Sequence, residues 1–459
     1  MMFREKSISQ MIAAYRTGEL TPVDAARACI ERSRQCAAFE MWESFSPEFL
    51  IEQAGKSAER IRSGADPGSL EGIPVGVKDI YNTADFPTQM GSVLWRNFTP
   101  GNDARAVFYL KRAGALIAGK TVTAEFAVHE LNKTRNPFNI EKTPGTSSSG
   151  SAVSVATGVV PAALGTQTAG SIIRPASFCG VWGYKPSFGT IPRTGMLKTT
   201  DSLDTIGFFT IHQEDLRLVF DAIRVHGPNF PFLFKAFTDR TRQYKPAGRP
   251  WKIGFVKTHT WKFAEGYARE RMLAFVERLG KANDVAVEEA DLSAAMECAH
   301  AVHATIYNKA LSYYFEEEAK SADFISDIMK KMIGAGREIS IERYHRALEE
   351  QAALCHEMDE FLQGYDAVVC LSTAGEAPDR GVPEQPDPAL MWTLTHLPAV
   401  SAPVFLSPGG LPFGLQIVSR RYNDYLLLSL LDHLLAEGLL ETAQPKTLDC
   451  PAPKKVDLA

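Results

Sequence analysis

The chain has 459 residues, with 49 Lys+Arg against 54 Asp+Glu and a formal charge of −5. Hydrophobic residues make up 45% and charged ones 22%, an ordinary globular balance that excludes disorder, collagen-like repeats and coiled coil as descriptions of the whole. The small acidic surplus provides neither a basic face for nucleic acid nor a polybasic membrane anchor.

The opening MMFREKSISQMIAAYRTGEL alternates charged and apolar residues as an amphipathic helix does. It has no apolar run with a small-residue cleavage site, so no secretory leader is expected. No stretch approaches about 18 continuous apolar residues, so no transmembrane helix is expected. Thr21-Pro22-Val23-Asp24 predicts a helix start: Thr caps, Pro suits the first helical position and Asp sits in the positive first turn. Helical pattern runs through ARACIERSRQCAA and again through SPEFLIEQAGKSAERIRSG, where Gly64 marks an end. GIPVGVKDIYNTA predicts a short buried strand leaving a turn, DARAVFYLKRAGA a helix, and ALIAGKT a short strand.

Residues 143–151, TPGTSSSGS, form a loop of small polar residues. AVSVATGVV follows as a helix and PAALGTQT as a strand, and TAGSIIRPASFCG reads as a second small-residue loop. That order lets two loops meet at one side of a sheet. Residues 225–250 lack periodicity and read as a surface crossing. WKIGFVK (251–257) resumes a strand, and 264–363 is strongly helical. YDAVVCLS and FGLQIVS read as buried strands, and the tail 443–459 as loose. With no repeat and no linker, one large α/β domain spanning 1–459 is expected.

The seven cysteines, Cys29, Cys36, Cys179, Cys298, Cys355, Cys370 and Cys450, are scattered without CxxC pairing. They imply a reduced, cytoplasmic-type chain with buried thiols. Gly114-Ala-Leu-Ile-Ala-Gly119-Lys120-Thr121 has the spacing of a phosphate loop. Such a loop needs free backbone N–H groups opening a helix, whereas Ala-Leu-Ile-Ala favours a buried strand, so a core strand is expected here. Of the ten histidines none belongs to a GxSxG elbow. His300 and His303 lie three apart in a helical stretch without a third metal ligand, and no metal or organic cofactor is expected.

The two small-residue loops carry more. Thr168-Ala169-Gly170-Ser171 follows a strand, where backbone N–H groups can be left free for an oxyanion. Lys78 stands in GIPVGVKD, an apolar frame. A buried lysine loses much of its preference for the charged form and can act as a base near neutral pH. Serine with a neutral lysine is a known substitute for Ser-His-Asp.

Gly72-Ile-Pro-Val-Gly-Val-Lys78-Asp79, Pro144-Gly-Thr-Ser147-Ser-Ser-Gly-Ser151 and Gly165-Thr-Gln-Thr-Ala-Gly-Ser171-Ile-Ile-Arg174 together resemble the amidase signature family, with 24 residues from Ser147 to Ser171. GLPFGLQIVSRRYNDYLLLSLL near the C-terminus is similar as well. The likeness is dense over 70–210 and thin over 225–360, the variable helical region that should shape the pocket. TQMGSVLWRNFTPGNDARAVFYLKRAGALIAGKT and GTQTAGSIIRPASFCG look nearest to the malonamidase-type members.

The resemblance implies one large mixed β-sheet covered by helices on both faces and a cofactor-free hydrolase of linear amides. It implies Ser171 as nucleophile, Ser147 on an unusual cis peptide as proton relay, and Lys78 as base. The oxyanion hole would be the N–H groups of Thr168, Ala169, Gly170 and Ser171. Arg174 would receive a substrate carboxylate, making the substrate a small carboxylated amide; the residues alone equally allow Arg174 to pair with an internal Asp or Glu. An esterase or an aryl or peptide amidase with the same triad, and the glutaminase subunit of a transamidating complex, remain open. No nucleic-acid or membrane partner is expected, and a homodimer rests on the resemblance alone. The usual GGSSGGS is here GTSSSGS and the usual TDTGGS is TQTAGS. Ala169 therefore adds a methyl beside the hole, a penalty if that backbone needs positive φ.

Overall fold

Eleven strands form a single sheet in the computed structural model, which describes residues 2–64 and 68–443. The strands are β1 (Trp42–Phe45), β2 (Pro74–Lys78), β3 (Leu116–Thr121), β4 (Ala162–Gln167), β5 (Trp182–Lys185), β6 (Thr205–Thr210), β7 (Trp251–Phe255), β8 (Val285–Glu289), β9 (Ala367–Leu371), β10 (Ala399–Leu406) and β11 (Pro412–Val418). Their order is β1-β3-β2-β4-β6-β5-β10-β11-β9-β7-β8. Two parallel blocks, β3-β2-β4 and β9-β7-β8, are joined through antiparallel strands. The sheet is mixed, as expected.

Alternate residues of one strand feed two cores. Ala367, Val369 and Leu371 of β9 join one apolar cluster, and Val368 and Cys370 join the other. Successive strand side chains point to opposite faces, so both faces are covered. One face carries the helices Ile8–Thr17, Pro22–Gln35, Pro47–Arg62 and Asp424–Ala436, and the other carries Ala299–Tyr314, Asp327–Arg337 and Ile341–Phe361. Each fully buried Val or Leu contributes roughly 1.5–3 kcal/mol. This explains why β9 is legible as a continuous apolar run and β11 as one interrupted only by Gln416. The Thr21 cap forms as expected, accepting from Asp24 N while the Asp24 carboxylate accepts from Thr21 N.

Several expectations need correction. TAGSIIRPASFCG is not all loop, because Ile173–Cys179 is a helix. Pro175 sits in its first turn, where a missing N–H removes no intrahelical bond. Residues 225–250 contain two short helices, Pro231–Thr238 and Arg240–Gln243. The stretch 264–363 includes the edge strand β8. The phosphate-loop spacing belongs to β3, which is buried throughout. The tail from 444 onward and Cys450 lie outside the described residues. Among the described residues no helix is long and apolar enough to cross a membrane.

Candidate active site

β2 and β4 are parallel neighbours, with Val77 opposite Leu164, so their carboxyl ends share one edge of the sheet. Such edges are where loops gather into sites. Lys78 closes β2 there and is fully buried. Its Nζ lies within hydrogen-bond distance of three hydroxyls, Ser147 Oγ at 2.8 Å, Ser148 Oγ at 3.0 Å and Thr166 Oγ1 at 2.9 Å. Burial holds its pKa well below the usual 10.5, opposed in part by the charge of Asp204.

The chemistry of those three partners matters. A neutral amine has two N–H bonds and one lone pair, and a hydroxyl can fill either role because it both donates and accepts. Lys120, equally buried, faces the carbonyls of Tyr81 and Pro87, the Thr88 hydroxyl and the Asp79 carboxylate at 3.0 Å. Those partners need an ammonium. The fold thus keeps two buried lysines on adjacent strands in environments suited to opposite charge states. Among the described residues no carboxylate pairs with Lys78.

The serine loop is fastened to the end of β4. Ser148 Oγ accepts from Thr166 N and donates to Thr166 O, which sets Ser147 over the Lys78 amine. The Thr146–Ser147 peptide is cis, in the place the family likeness implied. The helix Ser149–Ala156 follows directly.

The second loop leaves β4 at Gln167. Among the described residues, none accepts a hydrogen bond from the backbone N–H of Ala169, Gly170 or Ser171. Ala169 does not have positive φ, so its methyl introduces no backbone strain. At Gly170 a Cβ would lie 1.6 Å from Asp387 Oδ2, and only glycine fits. The Ser171 hydroxyl has no hydrogen-bond partner among the described residues. The structure therefore joins Lys78 to Ser147 directly and leaves Ser171 uncommitted. The two loops are tied instead through Arg174, whose Nη2 donates to the Thr146 carbonyl at 2.8 Å.

Arg174 takes the alternative that its position in the sequence left open. Its Nη1 meets Asp387 at 2.7 Å and its Nε meets Glu384 at 2.8 Å. Nη2 also donates to His129 Nδ1 at 3.1 Å. Internal groups thus take three of the five guanidinium N–H groups in hydrogen bonds, and Glu384 faces the Nε at ion-pair distance, so Arg174 serves partners within the chain. The role of carboxylate clamp is not carried forward. Burial raises the pKa of Glu384, with Arg174 opposing and Asp387 adding to the shift.

A cavity of about 500 Å³ opens against both loops, lined in part by Thr146, Ala169, Arg174, His129, Val382 and Asp387. Because Arg174 can only donate, His129 Nδ1 must accept, and a neutral His129 carries its proton on Nε2. Desolvation and the Arg174 charge hold its pKa well below the usual histidine range. His300 and His303 part company: His300 Nδ1 pairs with His259 Nε2, and His303 Nε2 donates to the Thr168 carbonyl. Among the described residues no three side chains group as a metal site.

The family model for amidases matches residues 24–428. The chain belongs to the amidase family. It is a hydrolase of carbon–nitrogen amide bonds. A glutamyl-tRNA(Gln) amidotransferase subunit of Syntrophus aciditrophicus is 30% identical over 441 residues, covering 87% of this amidase and 90% of that protein. A crystal structure of an amidase superposes with a TM-score of 0.85 at 25% identity, over 95% of this chain and 100% of that one. The peptide amidase of Stenotrophomonas maltophilia shares the fold, with a TM-score of 0.80 at 23% identity, over 96% of this chain and 99% of that one.

Sequence reasoning missed His129, Glu384, Asp387 and Thr393 around this site. They come from segments with no periodic or motif signal, and only the folded chain brings them to the two loops.

Proposed function

We propose that this amidase cleaves small linear amides through an acyl-enzyme on Ser171. Lys78 is the base and Ser147 the relay. In acylation the Ser171 Oγ–H proton passes to Ser147 as the Ser147 proton passes to the neutral Lys78 amine. Ser171 Oγ then bonds to the amide carbon. The carbonyl oxygen gains negative charge and is met by the N–H groups of Thr168, Ala169, Gly170 and Ser171. Collapse breaks the C–N bond, and the proton held on Lys78 returns through the serines to the departing nitrogen. Water repeats the cycle on the ester, releasing the acid and restoring Ser171. The relay requires Ser171 to reach Ser147 in the acylating complex; catalytic hydrogen bonds commonly tighten when substrate binds.

The observation that carries this reading is the fully buried Lys78 amine held by hydroxyls alone, 2.8 Å from Ser147. A substrate carboxylate is not required, because Asp387 and Glu384 already occupy Arg174. A second reading, glutaminase within a transamidating complex, is favoured by the 30% identity to an amidotransferase component.

Two measurements test these readings. A serine-directed fluorophosphonate is expected to label Ser171, and Ser171→Ala to abolish both labelling and ammonia release from small amides. Labelling at another residue, or a Ser171→Ala protein of undiminished activity, removes the assignment. Ammonia release from glutamine that appears only with added partner proteins, with none from other amides, establishes the second reading over the first.

A further inference from the structure

Three successive carbonyls of the loop after β4 are each held by a hydrogen bond, two of them from elements outside the serine loops. The Thr168 carbonyl accepts from His303 Nε2 at 2.8 Å, and the Ala169 carbonyl accepts from Thr393 Oγ1 at 2.6 Å. The Gly170 carbonyl accepts from Arg174 N at 2.9 Å. His303 lies on the helix Ala299–Tyr314 and Thr393 on Leu390–Leu394, two helices that pack together. The first two carbonyls are therefore pulled toward one side. In a trans peptide the C=O and the following N–H point in opposite directions. The N–H groups of Ala169 and Gly170 are thereby turned to the other side, and successive N–H groups turned alike make an anion-binding concavity.

Gln167 completes the frame. Its Oε1 accepts from Ile172 N at 2.8 Å and Ile173 N at 2.9 Å, and its Nε2 donates to Thr393 Oγ1 at 2.9 Å. The amide orientation is fixed, because the two backbone N–H groups can only donate. Thr393 must then accept from Gln167, which leaves its own proton for Ala169 O. A shorter, acceptor-only Asp, usual at position 167 in the family likeness, could not donate to Thr393. Gln167 and Thr393 work as a pair, and both side chains, like that of His303, are buried.

We propose that Thr393, Gln167 and His303 are positioning residues that aim the peptide N–H groups of Ala169 and Gly170 at the developing oxyanion. This rests on the assignment of Thr168–Ser171 as the oxyanion hole. Thr393 and His303 belong to helices outside the family's serine loops. Through His303 the oxyanion geometry of this amidase is set in part by the segment 225–360, whose sequence is least recognisable.

The test uses the full chain and a fluorophosphonate, whose phosphoryl oxygen takes the place of the substrate oxyanion. The maximal rate of Ser171 modification and the half-saturating concentration are measured for wild type, Thr393→Val, Thr393→Ser and His303→Leu, with thermal melting alongside. Thr393→Val and His303→Leu are expected to lower the maximal rate by about 10-fold or more with little change in half-saturation. Thr393→Ser keeps the hydroxyl and is expected to stay near wild type. A folded Thr393→Val protein that reacts at the wild-type maximal rate overturns the proposal. So does a Thr393→Ser protein as slow as Thr393→Val, or an effect confined to half-saturation. If wild type is labelled at Ser171 and Thr393→Val is equal to it, the positioning role alone falls. If wild type is not labelled at Ser171, the catalytic assignment falls and carries this one with it.

Discussion

Arg174 shows how one side chain can be read correctly for its chemistry and still serve another partner. A guanidinium fork suits a carboxylate, and the structure supplies two, Asp387 and Glu384, from within the chain. Removing one member of a buried ionic cluster leaves uncompensated charge and costs about 3–5 kcal/mol. Arg174→Ala is accordingly expected to lower the melting temperature and to depress turnover of a carboxylated amide and its neutral analogue alike. Steady-state kinetics on the matched pair check this, and a loss confined to the carboxylated substrate would restore the clamp. Lys78 drew notice as a lysine in an apolar strand, and Ser147 and Ser171 were nameable because the motifs around them resemble those of the family. His129 and Thr393 leave none. Each is a single polar residue whose meaning depends on what the fold sets beside it, such as the Arg174 guanidinium or the Ala169 carbonyl.

At the level of elements, β3 and the helix Ile173–Cys179 mark the two ways local pattern succeeds and fails. In β3 the apolar run outweighed the phosphate-loop spacing, and the ladder with β1 and β2 engages the backbone groups a phosphate would need. Lys120 is held by Asp79 and by backbone carbonyls. Mg-ATP is therefore expected to leave the melting temperature unchanged. A concentration-dependent rise in differential scanning fluorimetry would contradict that. The Ile173–Cys179 helix was read as loop because small residues and Pro175 suppress helical pattern. Its formation is driven by tertiary contacts: Gln167 takes its first N–H groups, and every one of its residues is buried. β8 was hidden for the opposite reason. It is an edge strand with exposed Glu288 and Glu289, and its charge matches the helices around it. The β9 and β11 runs were legible because both faces of the sheet are covered and alternation gives way to near-continuous apolarity, broken in β11 by Gln416.

Across the whole molecule, the sheet brings the carboxyl ends of β2 and β4 together, and the helices of the variable region close over them. The mixed sheet with two covered faces followed from the family likeness. The way residues 299–314 and 390–394 meet the loop after β4 did not, because no local rule links positions so far apart in the chain. The account depends on a charge state created by that packing: the Lys78 amine must be neutral at working pH so that it can take a proton. Its pKa lies well below 10.5 because burial disfavours the ammonium. Activity that needs the neutral form must be lost as pH falls through that pKa and be fully present above it.

The most direct measurement is the pH dependence of Ser171 modification by a fluorophosphonate, in wild type and in Lys78→Ala. The account predicts a rate that rises tenfold per pH unit at low pH and reaches a plateau well below pH 10.5, with both the rise and most of the rate missing in Lys78→Ala. A wild-type rate still climbing at the pKa of an ordinary lysine, or an unchanged profile in Lys78→Ala, would contradict it.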